Sequence, residues 1–157
     1  MSTPVIESIA LALADIVNAI TTANGYNYTL NAERPTTLTL TEDLIKDKNV
    51  IISQGDPSED EPCDYDRTWM QPFYLTAIVY EESGTAIDTK INQIRSDIEK
   101  AIAIENVNHV KGKRLDGLAD YLNINAPIHL DFDQCTGIVV PVTVTYTVTI
   151  DDPYSVA

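Results

Sequence analysis

The strongest constraint on the fold is residues 140–150, near the C-terminus, where apolar and polar side chains alternate. Apolar residues occupy the even positions, and a proline and four threonines occupy the odd ones: Val140, Pro141, Val142, Thr143, Val144, Thr145, Tyr146, Thr147, Val148, Thr149 and Ile150. This period of two predicts a half-buried strand of ~36 Å at ~3.3 Å per residue. Its threonine face is expected to contact solvent, with a packing surface for a neighbour as the alternative. A strand this long would be prone to pair with other chains if it lay at a sheet edge. Asp151-Asp152-Pro153 is expected to end it.

The N-terminal segment has apolar residues at three- and four-residue spacings, which predicts an amphipathic helix over residues 4–23. Thr3 is the expected N-cap, and Pro4 suits the first helical position because its missing N–H is not needed there. Asn24-Gly25 is expected to end the helix in a left-handed conformation. The apolar stripe consists of Ile6, Ile9, Ala10, Leu13, Ile16, Val17 and Ile20.

A second segment, residues 86–104, repeats the helical spacing. Thr85 and Asp88 resemble a weak capping box at its start. The isoleucine-rich stripe lasts under three heptads, so packing on a sheet explains it better than a coiled coil does. This stripe consists of Ile87, Ile91, Ile94, Ile98, Ala101 and Ile102.

Shorter apolar patterns predict strands between and after the helices. Residues 73–80 carry apolar or aromatic groups on both faces, which predicts a strand inside the sheet. A strand ending near residue 132 is expected to lead into a turn at Cys135-Thr136-Gly137, and residues 105–127 are expected to be loop with some short strand. In chain order, the predicted short strands lie at residues 26–30, 38–40, 50–52, 73–80 and 128–132.

The charge of the chain is strongly acidic, with 24 acidic and 10 basic residues and a net charge of −14. This balance argues against nucleic-acid binding by general attraction. Residues 56–66 hold six acids and no base, which predicts a mobile loop. Opposite charge on distinct segments suits head-to-tail association of identical subunits. The candidate assembly contacts are the acidic Asp56, Glu59, Asp60, Glu61, Asp64 and Asp66 and the basic Lys111, Lys113 and Arg114.

The sequence contains no motif that specifies catalysis or a cofactor, and we expect the protein to be neither an enzyme nor a cofactor binder. The best metal candidate is the alternating set His129, Asp131, Asp133 and Cys135. Neighbours on one strand face are ~6.6 Å apart, so at most two of these could reach one ion, and an ordinary strand and turn is the better interpretation. The other cysteine, Cys63, is 72 positions from Cys135, and reduced thiols are the simplest expectation.

Length and composition predict one α+β domain over residues 1–157, because 157 residues with 44% hydrophobic side chains suffice for a single core. The N-terminus lacks the basic region of a signal peptide, and no apolar run reaches the ~18 residues of a membrane span. We therefore expect a protein of the cytoplasm with no membrane contact.

The order of elements resembles the tail terminator, or tail completion, proteins of long-tailed bacteriophages. The resemblance spans nearly the whole chain and is carried by the helix Val5–Ala23, the strand and turn Asn49–Asp56, the strand Phe73–Tyr80, the helix Ile87–Ile104 and the strand Val139–Pro153. It implies an α+β fold in which helices pack on one face of a mostly antiparallel sheet. The long acidic stretch at residues 56–66 departs from what the resemblance implies.

The resemblance also implies a function: a structural virion protein of the tail, assembled in the host bacterial cytoplasm. Such proteins form a hexameric ring that caps the tail tube, stops its polymerisation and offers the surface for head–tail joining. The implied partners are further copies of the chain, the tail tube protein and the head–tail connector, while DNA passes through the bore without specific binding. The alternatives are a neck or head-completion connector protein and a small cytoplasmic protein-binding module.

Overall fold

The structure is a computed structural model that describes residues 2–37, 39–60, 65–108 and 111–157. These ranges form two α-helices, eight β-strands and two single 3₁₀ turns, at Thr22–Asn24 and Leu115–Gly117. In chain order the helices and strands are α1 (Val5–Asn18), β1 (Asn31–Glu33), β2 (Asn49–Gln54), β3 (Ser58–Glu59), β4 (Asp66–Val79), α2 (Ile87–Val107), β5 (Tyr121–Ile124), β6 (Ile128–Asp131), β7 (Thr136–Thr149) and β8 (Asp152–Val156).

Two long antiparallel strands, β4 and β7, form the centre of one sheet. Each has 14 residues, and they pair along their whole lengths, from Asp66 opposite Thr149 to Val79 opposite Thr136. The strand predicted at residues 73–80 is therefore confirmed as an interior strand. The long alternating strand is also confirmed. It does not lie at a sheet edge, because β7 has partners on both sides.

Short strands complete the sheet on either side of this central pair. On one side β2 pairs antiparallel with one half of β4, and β1 runs parallel to β2. On the other side β6, β5 and β8 pair antiparallel with successive stretches of β7. With one parallel contact among these pairings, the predicted mostly antiparallel α+β fold is confirmed.

The core lies between the two helices and one face of the sheet. Ile9, Leu13, Ile94 and Ile98 contribute fully buried side chains from the helix stripes. The even-numbered side chains of β7 face them: Ile138, Val140, Val142, Val144, Tyr146 and Val148. The period-two pattern predicted this face from Val140 to Val148, whereas Ile150, predicted on the same face, lies beyond the strand and is exposed. The odd-numbered side chains of β7 point to the opposite face, on which no helix of the described residues lies.

The helix ends differ from the sequence predictions. Pro4, not Thr3, is the N-cap of α1, and α1 ends at Asn18 rather than residue 23. Gly25 does adopt the left-handed conformation, with φ of 81°, but it ends the 3₁₀ turn that follows α1. In α2, Ala86 is the N-cap and no side chain caps it, so the predicted capping box is wrong.

Several strand predictions are corrected. Residues 26–30 and the described part of 38–40 are not strands, and Leu38 lies outside the described residues. Asp97 of α2 accepts hydrogen bonds from the Asn27 amide group and the Tyr28 backbone N–H, so this segment pairs with a helix side chain instead of a ladder. The long strand β7 ends at Thr149, just before Asp151-Asp152-Pro153 as predicted, but the unpredicted strand β8 begins at Asp152 and folds back on β7.

Candidate assembly surface

The acidic segment borders one edge of the sheet. Ser58 and Glu59 form β3, which pairs with Met70 and Trp69 of β4, and the Asp60 N–H donates to the Thr68 carbonyl at 2.9 Å. Where the sequence predicted a mobile loop over residues 56–66, Ser58–Glu59 therefore form a short strand that is paired with β4 through its backbone. Among the six acids, Asp66 belongs to β4, Asp56 is exposed before β3, and Glu61 and Asp64 lie outside the described residues.

One acid of this segment already has a basic neighbour. Glu59 lies 3.4 Å from the Arg67 guanidinium group on the paired strand. Both side chains are well exposed, so this cross-strand pair contributes under about 1 kcal/mol and leaves the edge acidic.

The basic cluster lies on the other side of β7, near β5 and β8. The Lys113 ammonium group donates to Asp120 at 2.5 Å and to the Ala157 carbonyl at 3.1 Å. Arg114 donates to the carbonyls of Gly112 and Asp120. These two cations therefore stabilise their own loop, and Lys111, exposed and at a positive φ of 52°, is the cation of the cluster that faces solvent.

The acidic and basic segments lie at opposite edges of the sheet, at the same position along the strand direction. Ser58 is opposite Met70, Met70 is opposite Thr145, and Thr145 is opposite Tyr121, which follows the Lys113–Asp120 pair. At about 4.8 Å per strand, this row spans about 14 Å. The structure therefore separates the two charged segments across the sheet and does not bring them together within one copy.

The face of the sheet without helices carries the threonines. Thr143, Thr145, Thr147 and Thr149 are partly exposed there, and Tyr121 is half exposed beside them. Hydrogen bonds join this face to its surroundings: Thr147 donates to Asp120 at 2.8 Å, and Asn125 donates to Thr143 at 2.8 Å. The threonine part of the face is thus uncharged, polar and partly open to solvent or to a neighbour.

A cavity of about 590 Å³ lies beside the β6–β7 turn, lined by Glu42, Ile45, Tyr80, Phe132, Asp133, Gln134 and Cys135. The Tyr80 hydroxyl donates to the Ile45 carbonyl at 3.0 Å. Burial raises the pKa of Tyr80, and the nearby Cys135 thiol and Asp47 carboxylate raise it further. Cys135 is a free thiol, as expected, while Cys63 lies outside the described residues.

The predicted metal candidate does not converge. Within the four described ranges, no group of three or more His, Cys, Asp or Glu side chains could hold an ion. His129 and Asp131 belong to β6, whereas Asp133 lies in the turn and Cys135 lines the cavity beside it. In the same ranges, no helix is both long enough and apolar enough to cross a membrane.

Two buried charges were not predicted as special positions. Lys90 of α2 is only 1% exposed, and its ammonium group bonds to the Asp47 carboxylate and to the Tyr80 carbonyl at 2.9 Å. Asp97 is 2% exposed and accepts the hydrogen bonds from Asn27 and Tyr28. Both residues lie on the same face of α2 as the isoleucine stripe, so their helical spacing from Ile94 could have indicated in the sequence that they are buried. They attach the irregular segment before β2 to α2.

Comparison of the sequence with protein-family models and with curated proteins finds no match.

Proposed function

We propose that the protein is a structural subunit of a ring at the head-proximal end of a long-tailed phage tail. The ring, built from about six copies, caps the tail tube, ends its polymerisation and presents the surface to which the head joins. The proposal follows the resemblance to tail terminator proteins. The observation that carries it is the separation of an acidic edge and a basic loop on opposite sides of one sheet.

This separation favours a head-to-tail contact between copies. The acidic edge around β3 lies across the sheet from Lys111 of its own chain, and its exposed Asp56 and Glu59 would meet Lys111 of the next copy in such a contact. A contact between two different patches is heterologous, and it closes into a ring when the rotation between neighbours divides a full turn. Opposite charges at such a contact fix the order of subunits and speed their encounter.

The strong net negative charge fits a ring whose bore carries DNA. A ring whose subunits each carry a net charge of −14 repels the phosphate backbone overall, so DNA is expected to slide through without sticking. The function of the ring in this proposal is mechanical, and it requires no catalytic group.

The first experiment is to measure the mass of the protein by light scattering at several concentrations, with negative-stain images of the largest species. Rings of about six subunits with an open bore are the expected result, either alone or after addition of purified tail tubes. A protein that remains monomeric at high concentration and also with tail tubes contradicts the proposal.

Charge reversal tests the contact itself. Lys111→Glu is expected to weaken ring formation at least 10-fold, and adding Asp56→Lys and Glu59→Lys to the same chain is expected to restore it. Lys46→Glu is the matched control, because Lys46 is exposed on a different part of the surface and pairs only with Asp43 within the described ranges. Equal loss in the Lys46→Glu control, or no restoration in the combined variant, contradicts the head-to-tail contact.

The neck or head-completion alternative predicts the same self-association but a different partner. Binding to tail tubes without binding to filled heads favours the terminator function, and the reverse favours the connector. The small binding module is favoured by one observation, a groove of about 340 Å³ on the helix-free face between Leu40, Ile51, Leu130 and Phe132. A monomer that binds an apolar peptide in this groove supports the module instead of the ring.

A further inference from the structure

Asparagine side chains from the helices close two edges of the sheet. Asn106 of α2 donates to the Leu122 carbonyl at 2.7 Å, and its side-chain oxygen accepts the Leu122 N–H at 3.2 Å. Asn18 at the end of α1 accepts the Ala32 N–H of β1 at 2.9 Å. Unpaired backbone groups at a sheet edge form a template for pairing with another strand. Here the asparagine side chains bond to some of these groups instead. The edges at β5 and β1 are thus protected against pairing with a second chain.

Within the described ranges, the edge at β6 has no such protection. All four β6 residues are exposed, including the apolar Ile128 at 49% and Leu130 at 38%. Among the described residues, no side chain bonds to a backbone group on the outer side of this strand. An unprotected edge that displays exposed apolar side chains is a site for strand addition.

The hairpin fixes which backbone groups point outward. The Phe132 N–H donates to the Cys135 carbonyl at 3.0 Å, which makes these two residues a hydrogen-bonded pair. Such pairs alternate along antiparallel strands, so Leu130 and Ile128 direct their N–H and C=O groups toward β7. His129 and Asp131 therefore direct theirs away from the sheet. The outer edge of β6 offers two donors and two acceptors, two residues apart.

The sequence of this edge is complementary to itself. When a second copy of Ile128-His129-Leu130-Asp131-Phe132 runs antiparallel and is centred on Leu130, each His129 lies opposite Asp131 of the other copy. The outward backbone groups of these two residues then pair directly. On the other face of the strand, Leu130 meets Leu130, and Ile128 meets Phe132. Every position in the pairing thus has a partner of matching chemistry.

Neighbouring registers lack this match. A shift that places His129 opposite His129, or Asp131 opposite Asp131, pairs the outward backbone groups of only one β6 residue in each copy. It also loses both His–Asp pairs, and in the second case it places two carboxylates opposite each other, which is unfavourable. In the centred register, the imidazole of each His129 donates to the Asp131 carboxylate of the other copy, so the contact contains two such hydrogen bonds. Two copies of a chain with net charge −14 repel each other overall. In the centred register, each Asp131 carboxylate at the contact nevertheless faces a His129 donor and not another carboxylate.

We infer that β6 is a self-association site at which two copies pair antiparallel about Leu130 and join their sheets across a two-fold axis. This contact goes beyond the proposed ring function and does not depend on it. β6 pairs with the Thr136–Val139 end of β7, whereas β5 and β8, beside the basic loop, pair with residues 142–149. Because an isologous contact closes on itself, it couples two subunits, or two rings, and does not extend a ring.

Disulfide trapping tests the register. In full-length protein with Cys63→Ser and Cys135→Ser, Leu130→Cys is expected to form a covalent dimer under mild oxidation, because residues facing each other across strands have Cβ atoms about 4.5–5.5 Å apart. Ile128→Cys is the matched control, since two copies of residue 128 would lie about 13 Å apart in this register. We expect at least 10-fold faster dimer formation for Leu130→Cys. Equal rates, or no dimer from either variant, overturn the inference.

Proline tests the backbone pairing. Asp131→Pro removes an N–H that β7 does not use, so the variant is expected to fold, as proline is tolerated on the open side of edge strands. Placed in the Leu130→Cys chain, it is expected to slow cross-linking at least 10-fold, whereas Asp131→Ala, which keeps the N–H, slows it less. An unchanged rate with Asp131→Pro, in a chain with an unaltered circular dichroism spectrum, contradicts strand pairing.

Charge exchange separates this contact from the ring contact. His129→Asp is expected to slow Leu130→Cys cross-linking by opposing carboxylates, and the exchanged pair His129→Asp with Asp131→His is expected to restore the rate. Lys111→Glu is expected to leave the rate unchanged. Failure of the exchange to restore cross-linking overturns the inferred register, whatever the result for the ring.

Discussion

At the scale of single residues, two buried charges connect the longest irregular part of the chain to the core. Lys90 and Asp97 lie on the buried stripe of α2, and each bonds to groups between residues 27 and 47. Charge-assisted hydrogen bonds are stronger than neutral ones, and the buried charge of each residue is compensated by them. A segment without its own ladder is thus attached to a helix at two points.

Removal of the Lys90 charge is expected to destabilise the fold. Lys90→Met keeps the buried carbon chain but removes the ammonium donor from the Tyr80 carbonyl and from Asp47, which then keeps only the Tyr80 N–H and the nearby Lys48. This loss costs about 1–3 kcal/mol in the free energy of unfolding. Lys46→Met, at an exposed position, is the control and is expected to change it by under about 0.5 kcal/mol. Urea unfolding monitored by circular dichroism measures both values. Equal stability of the two variants contradicts the structural role of Lys90.

The positions of these charges could be predicted from the sequence, but their partners could not. Lys90 and Asp97 stand four residues before and three residues after Ile94, so helical spacing alone directs them to the core. The groups that bond to them come from 43 and 70 residues away in the chain. Such contacts follow from the tertiary fold, for which a local pattern carries no signal.

At the scale of elements, asparagine side chains near the helix ends form hydrogen bonds with backbone groups at the sheet edges. Asn106→Ala is expected to free both backbone groups of Leu122 and to lower the free energy of unfolding by about 1–3 kcal/mol. The more specific measurement is hydrogen exchange, in which the Leu122 amide is expected to lose protection while amides in the centre of β7 exchange only as fast as the lower global stability requires. Unchanged protection at Leu122 contradicts the edge closure. Asn123→Ala, on the neighbouring exposed residue, is the control.

The link between α1 and the residue after β1 is expected to depend on pH. Arg34 donates to the Glu7 carboxylate, and this hydrogen bond is the main reason that the pKa of Glu7 lies below its ordinary value. Because the folded-state pKa is lowered, the stabilisation is fully present above the unfolded-state value of about 4.3 and is lost as pH falls through the folded-state pKa. Both side chains are partly exposed, so the contribution is under about 1 kcal/mol.

Glu7→Gln measures this contribution. At pH 7 the variant is expected to unfold at lower urea concentration than the unaltered protein. The difference is expected to disappear as pH falls through the lowered folded-state pKa of Glu7, below which both states carry a protonated Glu7. Glu42→Gln, at an exposed carboxylate, is the control. A difference that grows with acidification contradicts the assigned sign.

Strong periodicity predicted the central elements, and pairing created the others. Both helices and the strands at residues 73–80 and 140–149 have patterns long enough to show a period, while residues 50–52 were found only as a short apolar run. By contrast, β3 and β8 have two and five residues, and they exist because β4 and β7 offer them free edges. The false strand at residues 26–30 arose from alternating Tyr26, Tyr28 and Leu30, which pack against the core without a ladder.

At the scale of the whole molecule, the sheet has two different faces and two differently charged edges. Helices cover one face, and threonines occupy an open part of the other. The sequence alone predicted the threonine face and the charged segments, since both follow from composition and period. That the acidic and basic segments lie across the sheet from each other depends on the strand order, which requires long-range pairing and was not predictable from local pattern.

Low salt is expected to destabilise the folded protein, because net charge −14 concentrates like charges when the chain becomes compact. Raising NaCl from 0.01 to 0.1 M shortens the Debye length from about 30 Å to about 10 Å, so it screens repulsion across the molecule more than it weakens ion pairs at contact distance. We therefore expect the melting temperature to rise with salt in this range. Asp56→Asn with Glu42→Gln removes two exposed negative charges, and this variant is expected to melt higher at 0.01 M and to gain less from added salt. A melting temperature that falls with salt would mean that attraction within ion pairs, such as Lys113 with Asp120, outweighs the overall repulsion.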